Sequence, residues 1–476
     1  MAHAGCAQLA GIDETTGGTP PGPGVSLTVE RVSIGATVVR GPQDLSASTA
    51  RWLLPDVSAP GGFTPITGTL VPPNTWHAEI NNATPPVQFD LPDLPAPQLR
   101  LYEFPHADLK TAFTVLEHPN PTPPPASAMI TVSATLDAPY NGEGLQLFTV
   151  GTWASRGLVP PIAGATALNP PPFLYASMVS QTGRPLEKLT TADAVFVFRY
   201  LGNQLVGMLD VPPFEQTGMD TVSGTLVTLP LNQSLDARVD QAAVARRLTA
   251  VRPAVGAPTM SWSLRAAPGY QFGIDNGPLL HSAAVLAGDP TTITAAYANP
   301  FLTRDWKTLL TWSTRATRSY TIPALALPVT LTAGMFQRAE PAPALALALP
   351  AGLPELISID GRPLSTDGVT IAQPTAPVVV TFVTDVPQNT LYQLELVELA
   401  PNMAGTAIQQ RIVLTVFAPT PELKVPVDAF EPGTHYTIRA ITVKGGYPGV
   451  ETGDLAARDL PVAVSFLDSG VFQVMP

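Results

Sequence analysis

The chain has 476 residues, of which 45% are hydrophobic and 13% charged, and this length is sufficient for about three domains. Its net charge is −12 and it holds no basic run, so the electrostatic footprint of a nucleic-acid-binding protein is missing. The 54 prolines exclude a mainly helical chain, because proline removes a backbone donor and clashes with the preceding helical turn. Short strands between proline and glycine turns tolerate this composition, which predicts an all-β, multidomain protein.

The first 24 residues contain Cys6, the single cysteine of the chain. One cysteine excludes an internal disulfide framework and zinc sites of the CxxC type. Glycine, threonine and proline dominate the segment after it, and no hydrophobic period appears, so residues 1–24 are expected to form a flexible tether. Ala4-Gly5-Cys6 resembles the lipobox of bacterial lipoproteins, whose cysteine carries a diacylglycerol. The resemblance implies lipid attachment at Cys6 and anchoring to the outer membrane; the alternative is a stray thiol in a disordered terminus.

Alternation of apolar and polar residues begins directly after the tether. In VSLTVERVSI, Val25, Leu27 and Val29 point to one face of a strand while the residues between them point to the other. PVQFDL, QLRLYEF and TAFTVLEH continue this pattern, which predicts an immunoglobulin-like β-sandwich over residues 25–119. The closely spaced prolines of HPNPTPPPASA then predict an extended linker.

A middle β-rich region is predicted over residues 128–340, as one large domain or two small ones. Its strand-like segments are MITVSATL, GLQLFTVGTW, AVFVFRY, GTLVTLPL and TMSWSLRA. A single short helix is expected in LDARVDQAAVARRLTAV, with Ser234 as its N-cap and its end before Pro253. The uncharged run SYTIPALALPVTLTAGMFQ is long enough to span a membrane. Because Pro323 and Pro328 interrupt it, we interpret it as a pair of strands.

Residues 355–476 show the clearest strand pattern. FEPGTHYTIRA resembles the tyrosine-corner stretch of fibronectin type III domains through Phe430, Pro432, Thr434, Tyr436, Ile438 and Ala440. The resemblance implies a fibronectin type III-like sandwich in which the hydroxyl of Tyr436 binds a nearby backbone group. In SIDGRPLSTDGVT, Asp360-Gly361 and Asp367-Gly368 predict two tight turns.

No motif of a known catalytic site occurs in the chain: it lacks GxSxG, HExxH, a Walker loop, GxGxxG and an EF-hand loop. His106 and His118 lie on neighbouring strand-like segments and could meet across a hairpin as metal ligands, although we expect exposed edge positions. The sequence therefore predicts no catalytic residue, no metal site and no cofactor.

Acidic and basic clusters in the middle region offer two further candidates. A glycosidase needs two carboxylates ~5–9.5 Å apart, and such a pair could come from Glu187, Asp193, Glu215 and Asp220. An anionic ligand could bind Arg238, Arg246, Arg247 and Arg252. We expect the carboxylates to be ordinary solvated residues. The arginines are expected to form the solvent-exposed face of the helix and to pair with Asp236 and Asp240.

Aromatic rings could form a platform for sugars. Trp76 and Trp306 stand beside polar residues and are the candidates for exposed, ligand-binding rings, whereas most tryptophans are expected in cores.

Together these features predict a non-catalytic, lipid-anchored protein of the bacterial cell envelope in structural or adhesive contact with envelope or surface proteins or glycans. The alternatives are a carbohydrate-active hydrolase with a catalytic middle region, and a glycan-binding module.

Overall fold

The computed structural model describes residues 24–46, 49–56, 59, 63–79, 87–90, 99–104, 108–116, 118, 121–181, 184–270, 277–284, 291–342, 344–347, 351–385 and 389–475. It is 56% strand and 6% helical, with one α-helix in the described part of the chain, so the predicted all-β class with a single short helix is confirmed. Cys6, nearly all of the predicted tether and His106 lie outside the described residues. None of the described helices has the length and apolar character needed to cross a membrane.

The N-terminal region is built from strands in two sheets. They are β1 (Val25–Ile34), β2 (Val38–Pro42), β3 (Thr49–Pro55), β4 (Phe63–Thr67), β5 (Thr69–Val71), β6 (Thr75–Ala78), β7 (Val87–Asp90), β8 (Leu99–Tyr102) and β9 (Asp108–Val115). β1 pairs with β2, β6 and β9, and β5 extends this sheet beyond β6. β3 pairs with β4 and β7, and β7 pairs with β8. Val25, Leu27 and Val29 are buried, as the alternation predicts.

Residues 128–228 form a sandwich with a core of its own, which we name the second sandwich. Its strands are β10 (Met129–Leu136), β11 (Gly144–Val150), β12 (Ala154–Gly157), β13 (Ala167–Leu168), β14 (Phe173–Leu174), β15 (Val179–Ser180), β16 (Ala194–Leu201), β17 (Gln204–Val211) and β18 (Met219–Thr228). β10 lies between β18 on one side and β13 and β14 on the other. The facing sheet is β15–β12–β11–β16–β17. Val132 and Val222 of the first sheet pack in one cluster with Leu147 and Val197 of the second.

The remaining part of the middle region contains the helix and a long hairpin. Its elements are β19 (Gln233–Val239), α1 (Gln241–Ala250), β20 (Thr259–Ala267), β21 (Leu279–Ala284), β22 (Thr291–Tyr297), β23 (Lys307–Ile322), β24 (Leu327–Ala339) and β25 (Leu345–Ala346). The uncharged run covers the end of β23, the turn and most of β24. These two strands pair from Leu310 and Ala339 to Ile322 and Leu327, so the predicted pair of strands is confirmed. β20 pairs with β21 and β23, and β19 pairs with β22 and β25.

The C-terminal region contains β26 (Pro354–Ile359), β27 (Arg362–Pro363), β28 (Val369–Ala372), β29 (Val378–Thr384), β30 (Leu391–Pro401), β31 (Ile408–Ala418), β32 (Glu422–Val425), β33 (His435–Gly445), β34 (Val462–Asp468) and β35 (Phe472–Met475). β27–β26–β29–β32 form one sheet, and β31–β30–β33–β34 follow each other in another. Tyr436 is buried and its hydroxyl accepts a hydrogen bond from the Glu431 N–H at 2.9 Å, as in a tyrosine corner.

The two predicted Asp-Gly turns differ in their contacts. Asp360 and Gly361 both have positive φ angles and join the paired residues Ile359 and Arg362, as expected for a two-residue hairpin turn. Asp367 also receives hydrogen bonds from Arg318 and from the Val471 N–H. The second aspartate therefore ties its turn to the rest of the sheet.

Strand pairing crosses the predicted domain boundaries. β24 of the middle region pairs with β34 over Ala333–Arg338 and Val462–Leu467. β8 of the N-terminal region runs parallel to β31. One continuous sheet therefore passes from β8 through β31, β30, β33, β34, β24 and β23 to β20.

The helix begins later than the sequence predicts. Ser234 lies in β19, whereas Asp240 is the N-cap of α1 and its side chain accepts a hydrogen bond from the Ala243 N–H at 2.8 Å. Leu235, Ala237 and Val239 are all buried with a period of two. The predicted cap at Ser234 is wrong because this short apolar segment fits a strand as well as a helix, and pairing with β22 selects the strand.

Replacing Asp240 with alanine is expected to lower the free energy of unfolding by about 1 kcal/mol, because the first turn of α1 loses its side-chain acceptor. Ser234→Ala is the matched control and is expected to change stability little. Denaturant unfolding of both variants provides the measurement. An equal loss in the two variants would contradict the cap at Asp240.

Candidate functional site

His118, which precedes the proline-rich linker, lies between two carboxylates of the middle region. Its Nδ1 is 2.9 Å from Glu187 Oε2 and its Nε2 is 2.5 Å from Asp193 Oδ1. Glu187 Oε2 also accepts the backbone N–H of His118 at 3.0 Å. The side chains of His118, Glu187 and Asp193 are only 12%, 11% and 2% exposed. Two of the four candidate carboxylates therefore do meet, but around a histidine and largely away from solvent.

Local structure holds both carboxylates in place. Asp193 directly precedes β16, and its Oδ2 accepts hydrogen bonds from the Thr190 N–H at 2.6 Å and the Thr190 hydroxyl at 3.2 Å. The Glu187 carbonyl accepts the hydroxyl of Tyr175 at 3.0 Å. Gly151 faces Asp193 in a left-handed conformation with φ of +114°, which leaves room for the carboxylate. The cluster is thus a preformed part of the fold.

The chemistry of this cluster favours a structural role, in which a charged imidazole holds two carboxylates together. We name the three side chains of His118, Glu187 and Asp193 the clamp. Hydrogen bonds from the imidazole to Asp193 and Glu187 raise the pKa of His118 to about 10, despite its burial. An imidazolium that holds its proton to this pH is a poor general base near neutrality, where efficient bases have a pKa close to the working pH. Both ring nitrogens are also bound to carboxylates, so neither is available to a metal. Within the described residues, no group of three or more His, Cys, Asp or Glu side chains is placed to hold a metal ion.

The expected exposed edge position of His118 is therefore wrong. The linker that follows it is also attached to the middle region, because the Thr122 carbonyl accepts the Lys188 N–H at 2.7 Å. The proline-rich segment thus contacts the second sandwich at both of these points.

Stability is expected to fall as the pH rises from about 6.5 to 10, because His118 has its ordinary pKa near 6.5 in the unfolded chain and about 10 in the folded one. The stabilisation is complete below pH 6.5 and is lost as the pH passes through the folded value. The measurement is the difference in the free energy of unfolding between wild type and His118→Gln at several pH values in this range. The slope of this difference against pH should approach the value for about one proton per molecule.

His435→Gln is the control for this pH dependence, since burial lowers the pKa of His435 and it is already neutral in the range tested. A difference between wild type and His118→Gln that does not change with pH would contradict the charged clamp.

The other two candidate carboxylates have separate partners. Glu215 binds Lys188 at 2.5 Å on the surface. Asp220 is buried, contrary to expectation, and accepts the N–H groups of Thr217 and Gly218 at 3.1 and 3.3 Å. The expectation of ordinary solvated residues is therefore met at Glu215 only.

Arg247 does not pair as predicted, whereas Arg238, Arg246 and Arg252 are exposed, as expected. Arg247, in α1, binds Asp385 and donates to the Ala351 carbonyl at 3.0 Å. Asp240 caps the helix instead of pairing with an arginine there. The predicted partners are wrong for Arg247 because the C-terminal region, which is remote in sequence, packs against the helix.

Both candidate tryptophans are buried, so the expected exposed rings are wrong. Trp76 is 8% exposed and lies on β6 opposite Leu27. Trp306 is 5% exposed, stacks on Phe301 with ring centres 5.0 Å apart, and donates its indole N–H to the Ala36 carbonyl at 3.0 Å.

Trp153 also binds the turn between β1 and β2, as Trp306 does. Its indole N–H donates to the Ile34 carbonyl at 2.5 Å, and its ring is fully buried. Two indoles of the middle region therefore bind the turn between β1 and β2, and they fasten the N-terminal sheet to the middle region.

An open cleft of about 450 Å³ lies beside the second sandwich, between β11 and β12 on one side and β20 and β21 on the other. We name it the interdomain cleft. Its polar side chains come from Gln146, Ser155, Gln181, Tyr200, Asn203 and Arg265. Leu145, Phe148, Pro278 and Leu279 supply apolar surface, and glycines form the rest of the described lining.

The groups in the interdomain cleft are suited to hydrogen bonding. Gln181 donates to the Ser155 hydroxyl at 2.8 Å, and Arg265 donates to the Gly277 carbonyl at 2.7 Å, so these side chains are held in fixed orientations. Burial raises the pKa of Tyr200, which keeps its phenol neutral. Among the lining residues that the structure describes, none is Asp, Glu or His. Its amides and hydroxyls donate and accept, but none of them titrates near neutral pH.

Sequence reasoning missed the interdomain cleft, because glutamine and asparagine carry no motif. The only signal was local: GLQLFTVGTW places Gln146 on a strand whose neighbours are apolar. That pattern does not reveal that another part of the chain forms the second wall.

Comparison with known proteins gives no family. No family model matches the chain, and no curated protein matches it. Among solved structures, the chain is similar to alpha-2-macroglobulin of E. coli in its native conformation, at 11% identity and a TM-score of 0.14, covering 92% of this chain and 27% of that one. Salmonella alpha-2-macroglobulin reacted with methylamine gives 12% identity and a TM-score of 0.11, with coverages of 89% and 28%. The chain thus spans about a quarter of the length of these structures.

Proposed function

We propose that this chain is a non-catalytic protein of the bacterial cell envelope, anchored by lipid at Cys6, that makes structural or adhesive contacts with proteins or glycans. The observation that carries the proposal is the described lining of the interdomain cleft, which offers amides, hydroxyls and a guanidinium. Such a surface can bind the hydroxyls of a sugar or the backbone of a peptide.

An uncharged sheet face supports the contact function. MITVSATL and MDTVSGTL are identical at six of eight positions and form β10 and β18, which lie parallel and in register. Their outward hydroxyls form two rows: Thr131, Ser133 and Thr135 on one strand, and Thr221, Ser223 and Thr225 on the other. A surface of this kind suits adhesion to neutral partners through many weak hydrogen bonds.

The test asks whether the chain binds a glycan without hydrolysing it. A glycan array with the full chain identifies the ligand, and its affinity is then measured for wild type, Gln146→Leu and Gln409→Leu. Gln146 lies in the interdomain cleft, whereas Gln409 is exposed on β31 and serves as control. We expect Gln146→Leu to weaken binding about tenfold, with Gln409→Leu unchanged. Failure to bind any glycan or envelope protein would defeat the proposal.

A hydrolase is the second candidate, favoured by the meeting of Glu187 and Asp193 at His118. The hydrolase candidate predicts that wild type releases product from the bound glycan. It also predicts that neither Glu187→Gln nor Asp193→Asn does so. The proposed function predicts no product with wild type.

The envelope location rests on the lipobox resemblance of Ala4-Gly5-Cys6 and is tested separately. Expressed with a lipoprotein signal sequence, wild type should be extracted with membranes and carry the mass of a diacylglycerol and an acyl chain. Cys6→Ser should be unmodified. An unmodified wild-type chain in the soluble fraction would contradict the anchor. The fibronectin type III-like assignment of residues 355–476 rests on the Tyr436 motif.

A further inference from the structure

β18 lies at an edge of its sheet over most of its length. Residues 219–226 pair with β10, and β17 pairs with the end of β18 only, through Gly207–Thr228 and Met208–Val227. Among the described residues, no other strand pairs with β18. The side of residues 219–226 that faces away from β10 is therefore open to a further strand, and we name it the β18 edge.

The backbone groups of three residues point along the β18 edge. The Gly218 carbonyl accepts the N–H of Met129 at 2.6 Å, and this parallel ladder continues in register, so β10 bonds to the even-numbered residues of β18. Successive residues of a strand direct their N–H and C=O groups to opposite sides. Those of Thr221, Ser223 and Thr225 therefore point away from β10 and are satisfied by water or by another strand.

The β18 edge lacks the features that protect sheet edges. Natural sheets block an open edge with lysine, proline or a covering segment. β18 contains no Lys, Arg or Pro, and its one charged residue, Asp220, is 8% exposed and accepts backbone N–H groups of the preceding turn. Thr221, Ser223 and Thr225 are exposed and uncharged. The edge is thus accessible, and its outward row carries no charge that would repel a second strand.

The outward row of the β18 edge reads the same in both directions. It runs Thr221, Ser223, Thr225, so a second copy related by a two-fold axis at Ser223 places Thr opposite Thr and Ser opposite Ser. The two strands are then antiparallel, and each opposed pair exchanges two backbone hydrogen bonds. Identical hydroxyls can bond to each other because each one both donates and accepts. Thr225 keeps its bond to the Thr135 hydroxyl at 2.9 Å, since a hydroxyl has one donor and two acceptor sites.

The chain itself contains both of these hydroxyl pairs between antiparallel strands. Thr28 of β1 is opposite Thr75 of β6, and their hydroxyl oxygens are 3.0 Å apart. Ser261 of β20 is opposite Ser313 of β23, with their hydroxyl oxygens 3.1 Å apart. Cross-strand pairs of this kind stabilise a sheet. Two β18 edges can therefore make with each other the contacts that these strands make within one chain.

We infer that two copies of this chain associate through their β18 edges, with the strands antiparallel about Ser223. A contact along one strand buries less than the ~1,600 Å² of a standard interface, so we expect a weak dimer with a dissociation constant of about 10–100 µM. The inference is separate from the proposed function, because none of the described residues that line the interdomain cleft belongs to β18.

The experiment is sedimentation velocity of the full chain from about 1 to 300 µM, over which wild type should shift from monomer to dimer. Ser223→Lys should stay monomeric, because the two-fold axis places the two lysines opposite each other. Ser133→Lys is the matched control. Ser133 is exposed on β10, which pairs on both sides, so a lysine there leaves the β18 edge unchanged and the variant should dimerise as wild type does.

A charge exchange separates loss of the contact from loss of the fold. Ser223→Lys and Ser223→Glu should each be monomeric alone, whereas an equimolar mixture should dimerise, because the opposed residues then attract each other. In wild type, amide hydrogen exchange at Thr221, Ser223 and Thr225 should slow as the protein concentration rises, since these N–H groups become bonded.

Wild type that remains monomeric at about 300 µM would overturn the inference. Dimerisation of Ser223→Lys at the wild-type concentration would place the contact elsewhere on the chain. A mixture of the lysine and glutamate variants that stays monomeric would exclude the two-fold register. If the Ser223 variants do not fold, the concentration dependence of amide exchange in wild type decides.

Discussion

Gly151→Ala is expected to lower the free energy of unfolding by about 4 kcal/mol or more, or to prevent folding. The new Cβ would overlap Asp193 Oδ1 and lie 3.0 Å from His118 Nε2, so the carboxylate must leave the imidazolium. The φ of +114° at this position adds backbone strain that glycine alone avoids. Denaturant unfolding and the yield of folded protein provide the measurement.

Gly142→Ala and Gly157→Ala, in the same sandwich, separate the backbone strain from the overlap with Asp193. Gly142 has a φ of +89°, and no atom lies within 4 Å of the place that a Cβ would take, so Gly142→Ala reports backbone strain alone, about 1–2 kcal/mol. Gly157 has neither a left-handed φ nor a close neighbour, and Gly157→Ala should be nearly neutral. If Gly151→Ala costs no more than Gly142→Ala, the clamp contributes little to stability.

Asp468→Ala is expected to lower the free energy of unfolding by about 3–5 kcal/mol. Asp468 is 1% exposed, and its carboxylate accepts two hydrogen bonds from Arg439 at 2.7 and 3.2 Å and the Thr332 N–H at 2.8 Å. Its loss leaves the Arg439 guanidinium with only Glu395, at 3.5 Å. Burial raises the pKa of Glu395, although the charge of Arg439 opposes this shift, so it is a weaker replacement anion. The measurement is again equilibrium unfolding.

Asp210→Ala is the matched control for Asp468→Ala. Asp210 binds Arg304 at 2.6 Å, but the two side chains are 44% and 34% exposed. Solvent screens this pair, and its loss should cost less than about 1 kcal/mol. Similar losses in the two variants would show that burial does not set the strength of these ion pairs.

The Asp468 site lies where the predicted middle and C-terminal domains share a sheet. Thr332 belongs to β24, Arg439 to β33 and Asp468 to β34, so one carboxylate links strands on both sides of the predicted boundary. Cooperative unfolding of these two regions is the expected consequence.

The sequence by itself determined the features that depend on local order. Alternation predicted the strands β1 and β10 and placed Val25, Leu27 and Val29 of β1 on one face, which is buried, because a strand turns successive side chains to opposite sides. Asp360-Gly361 predicted its turn, because few residues accept positive φ. The prolines of the uncharged run predicted a hairpin instead of a membrane helix.

Only the tertiary structure decided which distant residues meet. His118 and Asp193 are 75 positions apart in the chain, and no local pattern connects them. Trp306 is buried because a turn of the N-terminal region covers it, and Leu235, Ala237 and Val239 form a strand because β22 is there to pair with them. Periodicity records which side of an element is apolar, whereas the partner that covers that side is chosen by packing of the whole chain. The clamp at His118 and the interdomain cleft belong to this second kind of information.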